Sequence, residues 1–225
     1  MDANRRPLTS RDYQWVQALA RRLAARGVSP NGISIAGMVF ATVGLAAYLA
    51  AHRALQVFAS SLDYLGLGTP PDPSPRWYWL YAGALAVAAV CIQLRLMCNL
   101  LDGLVAVEGG RKGKAGNLFN EAPDRYADVV LLVGAGCAAQ VPWLGWMAAT
   151  FAVATAYARA FGASVGLGQD FCGPFAKPQR MFFLTMGTLA SIAYYPVLEW
   201  TLWLIAAGSL FTFVRRIVRI YRQLP

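Results

Sequence analysis

Residues 99–133 read NLLDGLVAVEGGRKGKAGNLFNEAPDRYADVVLLV. Asp102, Glu108, Glu121, Asp124 and Asp128 stand here between two runs apolar enough to be lipid-buried. Carboxylates at membrane depth are costly and mark function. Asn99 and Asp102, three apart, share one face of a helix; Asn120, Asp124 and Asp128, four apart, make a second stripe. Two facing stripes of oxygen donors suit a hard cation such as Mg²⁺, which takes few protein carboxylates and completes its shell with substrate phosphates. Between the stripes, EGGRKGKAG supplies glycines for close backbone approach and cations for phosphate oxygens. It is not a P-loop: Gly113-Lys114 is followed by Ala115, and the upstream glycine is missing.

Outward from this segment the chain stays apolar. Of its 225 residues, 57% are hydrophobic and 14% charged, with a mean hydropathy of +0.44, which points to the bilayer as solvent. Crossing about 30 Å of hydrocarbon takes roughly 20 helical residues. Six stretches approach that length: 33–51, 77–101, 127–139, 143–165, 181–195 and 198–214. The fold expected is therefore an all-α integral membrane protein of six transmembrane helices, with residues 1–32 as a cytoplasmic segment and 33–225 as the membrane domain. Residues 52–76, with Pro70, Pro71, Pro73 and Pro75, read as an irregular outer loop.

The net charge of +9 is distributed by topology. Arg5, Arg6, Arg11, Arg21, Arg22 and Arg26 precede the first span; Arg111, Lys112 and Lys114 follow the second; Lys177 and Arg180 follow the fourth; Arg215, Arg216, Arg219 and Arg222 follow the sixth. All fall on one side of a six-span chain, so the positive-inside rule puts both termini and the carboxylate segment in the cytoplasm. Nucleic acid is not needed to explain the basic charge. The first 26 residues are polar and arginine-rich, unlike a cleaved leader, and the N-terminus is expected to be retained.

Before the first span, SRDYQWVQALARRLAARG combines apolar Tyr13, Val16, Leu19, Ala20 and Leu23 with four arginines. It reads either as an amphipathic helix lying on an anionic leaflet or as a helix packed on its own bundle. Cys91, Cys98, Cys137 and Cys172 have no paired spacing, and His52 is the single histidine, which excludes a zinc site and a Ser-His or Cys-His hydrolase.

The spacing Asn99-x-x-Asp102-Gly103-x-x-Ala106-Val107, eight residues, then Gly116-x-x-x-Asn120-x-x-x-Asp124 resembles the signature of the CDP-alcohol phosphotransferases, in which four aspartates occupy positions 99, 102, 120 and 124 and an arginine position 107. The resemblance, reinforced by VSPNGIS before the first span, covers most of the chain. It implies transfer of a phosphatidyl or other substituted phosphate group from a CDP-linked donor, CDP-diacylglycerol first among them, to an acceptor hydroxyl with release of CMP, in phospholipid biosynthesis. It implies a Mg²⁺ or Mn²⁺ site on Asp102, Asn99, Asn120 and Asp124, with Asp124 as general base and Glu121 or Asp128 as auxiliary carboxylates. Gly103, Ala106, Gly116 and Arg111, the last in place of the signature arginine, would meet the nucleotide. Arg159, Lys177 and Arg180 would bind a polar or phosphorylated acceptor, and a homodimer is implied.

The departures are as informative. Two of the three metal-binding carboxylates are asparagines here, which motivates a second expectation: a member that binds nucleotide-lipid or lipid without turnover. A transporter fits less well, because the carboxylates gather near one interface and no duplicated broken helices occur. Each site residue also has a plain reading. Asn120 could N-cap the third span ahead of Pro123, Asp128 could pair with Arg125 or a neighbouring helix, and Lys177 and Arg180 could serve as inside anchors.

Overall fold

The computed structural model describes residues 13–64, 75–108, 114–168 and 170–224, apart from the side chains of 58–64, 75, 114–117, 119 and 120. These residues form seven helices: α1 (Gln14–Ala25), α2 (Pro30–Tyr64), α3 (Pro75–Glu108), α4 (Lys114–Ala138), α5 (Pro142–Ser164), α6 (Lys177–Ala190) and α7 (Val197–Gln223). There is no strand among the described residues. Three helical stretches, Pro30–Val57, Arg76–Glu108 and Val197–Gln223, are long and apolar enough to cross a membrane.

Local chemistry explains the punctuation. Proline opens α2, α5 and α6 in the first turn, where its missing N–H would be unpaired anyway. Three helices end in the same motif. After α1, Val28 N–H reaches Leu23 O at 3.1 Å and Gly27 N–H reaches Ala24 O at 3.0 Å, with Gly27 at φ +76°. After α5, Leu167 and Gly166 bond Gly162 and Ala163 in the same way; after α4, Val141 and Gln140 bond Gly136 and Cys137, with Gln140 at φ 60°. Each satisfies carbonyls the helix leaves open.

Small residues line the interior. Ala41, Ala51, Ala88, Ala135, Ala138, Ala148 and Ala152 are buried in the main core, whereas Val39, Val90, Trp146, Leu204 and Phe211 lie exposed on the outside. An apolar exterior around an alanine-rich interior is the packing of helices in lipid. Gly136 and Gly145 set the α4–α5 contact: a Cβ on Gly136 would come within 2.7 Å of the Gly145 Cα. Several polar side chains in the core are bonded between helices, as where Tyr48 and Thr188 share a 2.5 Å hydrogen bond and Gln93 donates to Thr185 at 2.8 Å.

Two sequence expectations change, and the N-terminal segment gains a packing partner. Residues 52–64 are not loop but the last turns of α2, and α3 begins at Pro75; helix-forming AHRALQ extends beyond the apolar stretch because leaving lipid does not end a helix. The third apolar run belongs to a helix that starts at Lys114, so Asn120 lies in its second turn and cannot be its cap, and Pro123 is inside it. Finally, α1 packs on its own bundle: Val16 and Ala20 are buried with Ile33, Leu101 and Val105.

Candidate active site

The last turns of α3 carry Arg95, Asn99 and Asp102 at spacings of four and three, one face of a helix. The first half of α4 carries Glu121, Asp124, Arg125 and Asp128 on the facing side. Ser34 from the start of α2, Arg95, Cys98, Asn99 and Asp102 from α3, and Pro123 and Asp124 from α4 line one pocket of about 10 Å³. That is room for a single water-sized body.

The two retained signature aspartates have different surroundings. Asp102 is 7% exposed and accepts a 2.8 Å hydrogen bond from the Ser34 hydroxyl; among the described residues no cation pairs with it. Asp124 is the hub of the network. Its Oδ1 takes the Asn99 amide at 2.7 Å and the Arg95 guanidinium, and its Oδ2 takes the Lys177 ammonium at 2.5 Å, with Arg125 at 3.8 Å. Asp128 is fully buried, held by Arg180 at 2.9 Å and Arg125 at 3.6 Å. Arg180 also donates to the Phe175 carbonyl at 2.9 Å. Glu121 pairs with Arg159 at 2.5 Å and Arg125 at 3.3 Å. Charges buried this deeply survive only when paired and hydrogen-bonded.

Asn99, Asp102 and Asp124, expected to act together, thus share one pocket. Gly103 and Ala106 follow on α3, partly buried. Arg111 lies outside the described residues, as do the surroundings of Gly116 and the side chain of Asn120. Lys177 joins the pocket through Asp124, whereas Arg159 is carried by Glu121 and Arg180 by Asp128, each beside the hub.

Sequence reasoning passed over Arg95 and Ser34, whereas the pairing of Asp128 with Arg125 and with a neighbouring helix was expected. Arg95 had a signal: it is the one charge within the apolar stretch 77–101, and an ionisable residue at that depth is by default functional. The signature template starts at residue 99, one turn too late to include it. Arg216, deeply buried, bonds the Cys172 and Thr155 carbonyls at 2.9 and 2.8 Å and ties the α5–α6 connection to α7.

Among the described residues no three His, Cys, Asp or Glu side chains gather to hold a metal ion. The pocket does present oxygen from Asp102, Asn99 and Ser34, and among the described residues Asp102 forms no ion pair. That donor set and volume fit one hard divalent ion whose remaining ligands come from water and phosphate.

Fold and site together define a class: in its motif and its helix arrangement the chain resembles the CDP-alcohol phosphotransferases. The particular relatives are phosphatidylinositol phosphate synthases. The protein of that name from Streptomyces avermitilis is 25% identical over 220 residues, covering 89% of this chain and 75% of its own length. Among solved structures, the Mycobacterium tuberculosis phosphatidylinositol phosphate synthase with CDP-DAG bound matches with a TM-score of 0.68 at 21% identity, over 93% of this chain and 94% of that one. The same protein in complex with manganese and citrate matches with a TM-score of 0.68 at 20% identity, over 92% and 88% of the two chains. No protein-family model matches.

Proposed function

We propose that this chain is an integral membrane phosphatidyltransferase that moves the phosphatidyl group of CDP-diacylglycerol, or the substituted phosphate of another CDP-alcohol, to an acceptor hydroxyl and releases CMP. The observation that carries it is the meeting of Asp102, which has no ion pair among the described residues, with Asp124 in one pocket at signature spacing. The relatives support this reading: one is solved with the CDP-linked donor, and all are synthases of a phosphatidylinositol phosphate, which makes a phosphorylated inositol the first acceptor to try.

The acceptor oxygen attacks the phosphorus that bears the diacylglycerol, and the P–O bond to CMP breaks. Asp124 takes the acceptor's proton, which requires it within about 3 Å of that hydroxyl. Lys177, on the same carboxylate, and Arg159 nearby hold the acceptor's anionic group. Arg180, fixed on Asp128 one turn along α6, positions Lys177. Gly103, Ala106 and Gly116 leave space for the nucleotide, and Arg111 reaches its phosphates. Mg²⁺ or Mn²⁺ held by Asp102 with the carbonyls of Asn99 and Asn120 would supply positive charge to the pyrophosphate as CMP leaves.

In the membrane, α2 to α7 supply six spans with both termini on the cytoplasmic face of the inner membrane, and α1 lies along that face with Tyr13 and Trp15 outward. A homodimer accords with the resemblance. A second reading, donor binding without turnover, is favoured by the ion pairs that occupy Asp124. The two separate by experiment. Purified protein in lipid, given CDP-diacylglycerol, Mg²⁺ and a panel of acceptors, is expected to release CMP only with the productive acceptor, and Asp124→Asn to abolish release. Donor binding without CMP release from the wild type would establish the second reading.

A further inference from the structure

Arg95 is 3% exposed. Its Nη2 is bound to Asp124, but its Nη1 is buried with no hydrogen-bond partner among the described residues. An arginine cannot shed its charge in a protein, and a buried donor without an acceptor is costly to keep. The residue lines the pocket that also contains Asp102, Asn99 and Ser34, so the unpaired donor belongs to the site itself.

The charges around the pocket say what it awaits. Two dications side by side need several carboxylates, and here the α3 face offers only Asp102, next to a guanidinium of the same sign as the ion. The room in the pocket matches one small ion. A guanidinium, though, presents a planar fork of N–H donors matched to phosphate oxygens. On the donor reading above, we propose that Arg95 is a phosphate-binding residue that takes the role of a second divalent cation: Nη1 donates to a pyrophosphate oxygen of the CDP-linked substrate while Nη2 stays on Asp124.

The test titrates CDP into the full-length protein in lipid nanodiscs, by calorimetry, with Mg²⁺ or with EDTA. Wild type, Arg95→Lys and Arg95→Gln are compared, with folding followed by thermal unfolding, and Mn²⁺ bound in the presence of CDP is counted by electron paramagnetic resonance. The inference expects one tight Mn²⁺ per chain and CDP binding by the wild type that persists in EDTA. Arg95→Gln should weaken the EDTA binding about 10- to 100-fold, the worth of a charge-assisted hydrogen bond, and Arg95→Lys should restore part of it. Two tight Mn²⁺ per chain, or CDP binding that needs Mg²⁺ and is equal in wild type and Arg95→Gln, overturns the role of Arg95 and leaves the donor reading standing. Failure of CDP to bind the wild type in either buffer overturns the donor reading and this inference together. If Arg95→Gln does not fold, the wild-type EDTA titration and the Mn²⁺ count decide alone.

Discussion

Asp102 and Asp128 are both carboxylates near one pocket, yet their neighbours give them opposite duties. The partner of Asp102 is a neutral hydroxyl at 2.8 Å, so Asp102→Asn removes charge without stranding another. CMP release should fall by at least about a hundredfold, since about 2.7 kcal/mol of lost transition-state charge stabilisation has that effect, while the unfolding temperature in detergent stays near wild type. Asp128→Asn instead leaves Arg180 enclosed and unpaired. It should destabilise the bundle by about 3–5 kcal/mol, seen as a lowered unfolding temperature and loss of monodisperse protein. Both aspartates were legible in the sequence because a helix fixes their spacing. The pairing of Asp128 with Arg125, three residues back on the same helix, was legible too; its pairing with Arg180 was open only as a neighbouring-helix contact, since it depends on which cation meets it across helices.

At the scale of elements, the α4–α5 pair depends on backbone contact. With a Gly136 Cβ placed 2.7 Å from Gly145 and a Gly145 Cβ placed 2.7 Å from the Leu132 carbonyl, no side chain fits between them. Gly145→Val should push the helices apart, costing about 1–3 kcal/mol as overpacking does, and carry Asp124 and Asp128 away from α3 and α6. Reduced folded yield on size exclusion, together with weaker CDP binding in the surviving fraction, would check it. Helix identities were readable from apolar length, but boundaries were not. His52, Arg53 and Asp63 looked like the start of a loop, whereas charge only ends the lipid-facing stretch and α2 runs on to Tyr64. Pro123 looked like a first-turn proline, whereas α4 had begun at Lys114.

For the whole molecule, polarity is sorted along the bundle axis. The ion pairs cluster where α3 ends and α6 begins, whereas the far ends of α4 and α6 carry neutral bonds: Thr188 of α6 with Tyr48 of α2, and Tyr195 to the Ala139 carbonyl. With the positive-inside rule this supports the proposed orientation, which can be measured. In a cysteine-free background, Gln140→Cys at the α4–α5 turn should react with a membrane-impermeant maleimide only from outside intact cells, and Leu224→Cys only after the membrane is opened. Labelling of both from the same side would remove the six-span topology. Arginine placement makes this proposal available from the sequence, because it depends on the sum of many charges and not on any one contact.

The amide of Asn99, donating to Asp124 at 2.7 Å, also constrains which mutational routes are open. Changing Asn99 to aspartate does not simply regain a metal ligand. It replaces a donor with an acceptor and sets two like charges against one another where an attraction had been. The aspartate becomes tolerable only while Arg95 keeps its positive charge beside the pair or a dication binds between them. Positions 95, 99 and 124 therefore behave as a single epistatic unit. Losing the Arg95 charge and gaining an aspartate at 99 should together cost more than the two changes summed, so a four-aspartate motif is reachable only in a background that keeps a cation there.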